Sequence, residues 1–113
     1  MDRKTPFKND MFALVWSVFG MLYPEQCKKD IVIRWAETVY DGDEEAFGVT
    51  NFRTDGSIRI LISGQLPVVH AVEIFAHELA HVAAGPEAEH GEAWENAFDA
   101  IHTEYMKMIE RGA

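Results

Sequence analysis

A chain of 113 residues suffices for one compact domain with a modest core but not for two, so a single domain is predicted over residues 1–113. Hydrophobic residues make up 48% and charged residues 26%, a balance typical of soluble globular proteins and not of disordered chains. The formal net charge of −9 disfavours direct binding of nucleic acid, because an acidic surface repels a phosphate backbone. The one cysteine, Cys27, cannot form an internal disulfide, so nothing indicates an oxidising compartment and we expect a cytoplasmic location.

The first predicted element is a helix from about Thr5 to Tyr23. Thr5 suits the N-cap, Pro6 suits the first helical position, and Pro24 ends the helix. A signal peptide or a membrane-active segment is the alternative, since basic residues precede the apolar run 11–23. That run is shorter than the roughly 20 apolar residues that span a bilayer, and no Ala-x-Ala cleavage site follows it. We therefore predict a helix of a soluble protein and no membrane partner.

Three strands are predicted next, because the segments are rich in β-branched and aromatic residues: 30–40, 46–53 and 57–63. The polar segment 41–45 is predicted to be a turn between the first two. Asp55-Gly56, between the second and third, is the strongest short-range signal for a hairpin. The expected sheet is therefore three-stranded and mostly antiparallel, with a hairpin over residues 46–63.

Two further helices are predicted after the sheet. The first runs from about Pro67 to Ala84, because Pro67 suits a helix start and Gly85-Pro86 forbids continuation. The second begins near His90 and ends at about Arg111, with an apolar stripe that we predict to be core: Trp94, Ala97, Phe98, Ile101, Tyr105 and Met108. This order of elements predicts an α+β domain with an N-terminal helix, a small sheet and two C-terminal helices.

His77-Glu78-Leu79-Ala80-His81 is an H-E-x-x-H pattern in the second half of the helix over 67–84. Four residues along a helix advance about 6 Å and turn about 40°, so both imidazoles face one side and can bind one cation. Glu78 flanks the pair, and its carboxylate can reach a water on the metal without being a ligand. The pattern predicts a zinc site with His77 and His81 as ligands; a chance match on an exposed helix face is the alternative.

Catalytic zinc usually has three protein ligands and an open position for water, so a third ligand is required. His90 is the best candidate, because it lies nine residues past His81, just after the break at Gly85-Pro86. Packing of Trp94 and Phe98 into the core would then fix its direction. The rivals of His90 are four nearby carboxylates: Glu87, Glu89, Glu92 and Glu95.

These residue types predict a particular chemistry. Zinc would lower the pKa of its bound water towards about 7 and polarise a scissile carbonyl. Glu78 would take the proton of that water during attack and pass it to the leaving amine. The sequence therefore predicts a zinc-dependent endopeptidase in which Glu78 is the catalytic residue.

The sequence gives weaker evidence for a functional role of the other polar residues. His70 lies about two helical turns before His77, too far to join the same ion, and is predicted to be structural. Two acidic residues are candidates to hydrogen-bond the ligands: Glu73 and Asp99. The group that stabilises the oxyanion is left open among three residues, of which the last is predicted to lie on the surface: Tyr40, Tyr105 and His102.

Together, His77-Glu78-Leu79-Ala80-His81 and His90-Gly91-Glu92-Ala93-Trp94 resemble the SprT-like zincin metallopeptidases, in the compact single-domain form found in bacteria and phages. That family has H-E-x-x-H, a variable loop, and then His-Gly with an aromatic residue three positions later. The resemblance implies a minimal zincin-like fold, Zn²⁺ held by His77, His81 and His90, and Glu78 as the catalytic carboxylate. It also implies a polypeptide substrate bound as an extended strand along a sheet edge, which the 46–63 hairpin could offer.

Two departures from the family limit what is carried over. The loop between His81 and His90 is short for the family, and no zinc ribbon or basic extension follows, so the DNA-linked roles of larger relatives are not expected. Two other functions stay open: a zinc-binding interaction module without turnover, and a zinc hydrolase of a non-peptide bond such as an RNA phosphodiester. The intact Glu78 argues against the first, and the acidic charge argues against the second.

Overall fold

A computed structural model of the chain describes residues 11–110, which form an α+β fold as predicted. The helices are α1 (Met11–Leu22), α2 (Pro24–Cys27), α3 (Val68–Ala84) and α4 (Glu92–Glu110). The strands are β1 (Ile31–Ala36), β2 (Val39–Asp41), β3 (Glu44–Ala46), β4 (Gly48–Phe52) and β5 (Ile58–Ser63). The predicted helix start at Thr5 and Pro6 and the predicted helix end at Arg111 lie outside the described residues.

The main sheet has the strand order β1-β5-β4. β5 is central because its isoleucines, Ile58, Ile60 and Ile62, are buried, which a central strand allows. β4 and β5 pair antiparallel, so the predicted hairpin and the three-stranded sheet are confirmed. β1, however, runs parallel to β5, because the chain passes through β2, β3 and β4 before it returns alongside β1. The main sheet is therefore mixed, while the strand pairings of the described residues as a whole are mostly antiparallel, as predicted.

The predicted first strand over residues 30–40 is interrupted by a bend at residues 37–38, which separates β1 from β2. β2 pairs antiparallel with β3, so the predicted turn over 41–45 is in fact part of a second, two-stranded hairpin. Gly42 has a φ of 67°, which glycine adopts without steric cost in tight hairpin turns. β2 overlaps the predicted first strand, whereas β3 escaped prediction because Glu is depleted in strands and Glu44 and Glu45 are two of its three residues.

The turn between β4 and β5 is held by its own polar side chains. The carboxylate of Asp55 accepts hydrogen bonds from the backbone N–H and the hydroxyl of Ser57, at 2.9 and 2.6 Å. These bonds lower the pKa of Asp55, and Gly56 has a φ of 92°. The Asp-Gly signal therefore predicted this turn for the right physical reason.

Helix α3 is the centre of the fold, since it packs against β4, β5, α1 and α4. Its residues Phe75 and Leu79 meet Phe19 of α1, Ile60 of β5 and Ile101 of α4 in one core, and each is at most 1% exposed. The H-E-x-x-H motif is thus carried by the most enclosed helix. Within residues 11–110, every helix is too short or too polar to traverse a bilayer.

Candidate functional site

The end of α3 places the motif beside a loop that turns back on it. The helix stops at Gly85, whose φ of 93° favours glycine, and Pro86 follows. Two backbone hydrogen bonds tighten the loop, from the N–H of Ala88 to Gly85 O and from the N–H of Gly91 to Ala88 O. The loop therefore delivers the next residues to the side of α3 instead of carrying the chain away.

His90 is brought against His81 by this loop. The Nε2 atoms of the two rings lie 3.2 Å apart, and the rings meet edge to face with their centres 4.7 Å apart. Glu89, just before His90, has a φ of 49°, a left-handed conformation that few non-glycine residues adopt. The doubling back that the spacing predicted is what the structure shows.

Trp94 and Phe98 form an aromatic wall on α4 beside the histidines. Their rings stack with an interplanar angle of 4°, and His77 lies against both, with ring centres 5.1 Å from Trp94 and 4.3 Å from Phe98. The indole N–H of Trp94 also donates a hydrogen bond of 3.1 Å to the carbonyl of His77. Both aromatic residues were predicted to pack in the core; they are partly buried, pack against it as predicted, and also contact the motif.

Two of the predicted ligands have the spacing that a zinc ion requires. Zn–N distances of about 2.0–2.1 Å in a tetrahedron put two ligand nitrogens roughly 3.3 Å apart, and the Nε2 atoms of His81 and His90 are 3.2 Å apart. A hydrogen bond between two neutral imidazoles would have a similar length. Across residues 11–110, no three His, Cys, Asp or Glu side chains form a metal-binding group. The Nε2 atoms of His81 and His90 thus have a spacing that fits one zinc ion, and His77 as the third ligand stays a prediction.

Burial keeps the motif histidines neutral. Desolvation, and then the charges of His90 and His77, lower the pKa of His81 to about 4, although Asp41 opposes the shift. Desolvation and the charge of His90 also lower the pKa of His77, against the carboxylate of Glu73. Both rings are therefore unprotonated at pH 7, which is the form that binds a metal.

Glu78 is buried, with 7% of its surface exposed, and it contacts β4. The hydroxyl of Thr50 lies 2.7 Å from Glu78 Oε1 and 3.2 Å from the main-chain oxygen of Glu78. Burial raises the pKa of Glu78 to about 7, the hydrogen bond from Thr50 opposes the shift, and the charge of Asp41 adds to it. A carboxyl group with a pKa near neutrality can both accept and release a proton at physiological pH.

A cavity of about 350 Å³ is lined by two of the three predicted ligands, whereas His77 does not line it. The cavity lies between β2, β4, the end of α3 and the loop that follows, and Glu78, His81 and His90 all line it. Asp41 and Thr50 line it too, and neither was predicted to belong to the site. Both come from strands distant in the sequence, so no local pattern marks them.

The remaining predicted residues are divided between the site and its surroundings. Glu89 lines the cavity, whereas the other three rival carboxylates are exposed and outside its lining: Glu87, Glu92 and Glu95. His70 is exposed and packs edge to face on Phe47, and its predicted structural role stays a prediction. His102 packs on Phe98 and is half-buried, not on the surface as predicted. Tyr40 is 59% exposed and Tyr105 is buried, and neither lines the cavity.

In the metal-free protein, the ionisations of Glu78 and His81 affect stability in opposite directions with pH. Glu78 has a raised pKa, so its contribution is present below pH 4.5 and is lost as the pH rises to about 7. His81 has a lowered pKa, so its contribution is present above pH 6.5 and is lost as the pH falls to about 4. Between pH 4.5 and 6.5 the two effects offset each other.

As the pH rises from 4.5 to 6.5, we therefore expect the free energy of unfolding to increase more in Glu78→Gln than in the wild type. The substitution removes the destabilising ionisation of Glu78 and leaves the stabilising effect of His81. One proton corresponds to at most about 1.4 kcal/mol per pH unit. Urea unfolding with EDTA present measures the free energy of unfolding at each pH, and Glu95→Gln on the exposed face of α4 is the control. If the free energy of unfolding changed equally with pH in Glu78→Gln and the wild type, the raised pKa of Glu78 would be contradicted.

Gly48 allows β4 to approach α3 closely. A Cβ atom at this position would lie 2.5 Å from Ile74 Cγ2 and 2.9 Å from Glu78 Oε2. We expect Gly48→Ala to reduce the free energy of unfolding by about 1–3 kcal/mol, the usual cost of overpacking. Gly64→Ala is the control, since the nearest atom to its Cβ would be Ala36 O at 3.6 Å; equal losses in both variants would refute the close approach.

No protein-family model matches the sequence, and comparisons with curated proteins and with solved structures return no match. The resemblance to SprT-like zincins therefore rests on the sequence motifs alone.

Proposed function

We propose that this protein is a zinc-dependent endopeptidase of the SprT-like kind. The observation that carries the proposal is the convergence of Glu78, His81 and His90 on one cavity, with the Nε2 atoms of the histidines 3.2 Å apart. Neutral imidazoles at this spacing can share a cation. A buried glutamate beside them supplies the proton acceptor that hydrolysis needs.

His77, His81 and His90 would hold the metal in this proposal. When bound, zinc lowers the pKa of water and polarises the carbonyl group of the substrate. The aromatic wall of Trp94 and Phe98 holds the ring of His77 and shields one side of the cluster from water. Glu89 is the alternative third ligand, because it also lines the cavity.

Glu78 would act as the general base and then as the general acid. Its buried carboxylate at the wall of the cavity would remove a proton from the attacking water and return it to the leaving amine. The proton therefore moves from water to Glu78 and from Glu78 to the new N-terminus. Asp41 and Glu89 also line the cavity, but both are exposed.

The substrate would be an extended polypeptide rather than a nucleic acid. β4 is at the edge of the main sheet, and Val49, Thr50 and Phe52 of this strand line the cavity. A peptide added along that edge would pass the motif, with backbone hydrogen bonds holding it in register. Asp41 and Glu89 at the cavity would repel a phosphodiester.

The test is metal-dependent cleavage of an unfolded, casein-like protein by the purified full chain. We expect cleavage with zinc, loss with EDTA, and recovery when zinc is added back. Zinc binding without cleavage would support an inactive interaction module instead. Cleavage of RNA but not of protein would support the non-peptide hydrolase and reject the peptidase.

A further inference from the structure

We infer that Thr50 is a positioning residue that fixes the carboxylate of Glu78 at the wall of the cavity through its hydroxyl group. The inference rests on the proposed function, because it gives Thr50 a part in the reaction that Glu78 carries out. Thr50 has no role in the H-E-x-x-H pattern and lies on a different element, β4.

The hydroxyl of Thr50 reaches two atoms of the same residue. Oγ1 is 2.7 Å from Glu78 Oε1 and 3.2 Å from the main-chain oxygen of Glu78. The hydroxyl group has one proton and both oxygen atoms are acceptors, so the hydroxyl group donates mainly to Oε1, at the shorter distance. This bond from the fixed backbone of β4 restricts the torsion angles of the Glu78 side chain, so the carboxylate is held in one orientation.

Gly48 completes the hold on Glu78. Gly48 and Thr50 are two residues apart on β4, so they face the same side of the strand, toward α3. Thr50 contacts Oε1, while a Cβ on Gly48 would approach Oε2 to 2.9 Å. The backbone of β4 thus encloses one carboxylate oxygen, and the hydroxyl group holds the other.

A purely structural role is the competing explanation. Thr50 is half-buried and pairs with Ile60 in the sheet, so its methyl group and its β-branched shape also contribute to packing. The two roles separate when the hydroxyl and the methyl group are removed in turn. Thr50→Val keeps the shape and loses the donor, whereas Thr50→Ser keeps the donor and loses the methyl group.

We expect Thr50→Val to lower kcat for casein-like peptides about 10–100-fold with KM changed less than about twofold, and Thr50→Ser to retain most of the wild-type kcat. Zinc affinity, measured by calorimetric titration, should be the same in all three proteins, because Thr50 is not a ligand. Thr103→Val on the exposed face of α4 is the matched control and should leave kcat unchanged.

A second measurement does not depend on turnover. In the metal-free full chain labelled with [¹³C]glutamate, the carboxyl resonance of Glu78 is assigned by its loss in Glu78→Gln. We expect this resonance to shift in Thr50→Val and to stay in place in Thr50→Ser, at one pH well above 7.

Three results would overturn the inference: full kcat in Thr50→Val, an equal loss of kcat in Thr50→Ser, or an unmoved Glu78 resonance in Thr50→Val. If the wild type cleaves no peptide, the proposed function fails, and the resonance still decides whether Thr50 holds Glu78. Circular dichroism of each variant excludes unfolding as the cause of any loss.

Discussion

Glu78→Gln is expected to lower kcat for peptide hydrolysis by about 10²–10⁴-fold while the protein keeps its fold and its zinc. Glutamine has nearly the same shape and can still accept the hydrogen bond from Thr50, 2.7 Å away, through its side-chain oxygen. It cannot take up a proton from water. The loss should therefore appear in the chemical step and not in metal binding or substrate binding.

The measurement combines casein cleavage with the zinc content of the purified protein. Glu95→Gln is the matched control, because Glu95 is an exposed glutamate on α4 outside the cavity lining. Turnover at the wild-type rate in zinc-loaded Glu78→Gln would end the assignment of Glu78 as the proton acceptor. Loss of zinc from the variant would show that Glu78 is a ligand.

His90→Ala is expected to weaken zinc binding by more than about 100-fold, which exceeds what the loss of an outer hydrogen-bond partner usually costs. Two histidines on one helix turn hold zinc poorly without a third ligand. His90 supplies the nitrogen atom that lies 3.2 Å from that of His81. Its removal should therefore leave an incomplete site and abolish peptide cleavage.

Competition with a fluorescent zinc chelator measures this affinity. His70→Ala is the control, because His70 is exposed and packs on Phe47 away from the cavity. Unchanged affinity in His90→Ala would exclude His90 as a ligand and leave Glu89, which also lines the cavity, as the candidate to substitute next.

The bounds of α3 were predicted well because both ends have local chemical causes, whereas the short helix α2 was not predicted. α3 was predicted over about 67–84 from Pro67 and Gly85-Pro86, and it spans Val68–Ala84. The hairpin at Asp55-Gly56 also has a local cause. The parallel pairing of β1 with β5 was missed, since strand neighbours are chosen by burial across the whole chain and leave no short-range pattern.

The site was predictable where its residues are close in sequence and not where they are distant. H-E-x-x-H specifies two rings and a carboxylate on one helix, and the short loop indicated that His90 could return to them. Thr50 and Asp41 reach the cavity from strands paired long-range, so the sequence contained no signal for them. The apolar stripe of α4 predicted a packed face, but a stripe does not identify what it packs against, and Trp94 and Phe98 meet the motif.

The hydrogen bond from the Trp94 indole to the carbonyl of His77 ties the first turn of α4 to the motif helix. His90 lies just before that turn, so this attachment restrains the backbone that carries it. In a metal-loaded protein, fraying of this helix end would then favour escape of the ion. The dissociation rate of the metal would then depend on how often the start of α4 opens locally. Trp94 would control that opening although it binds no metal.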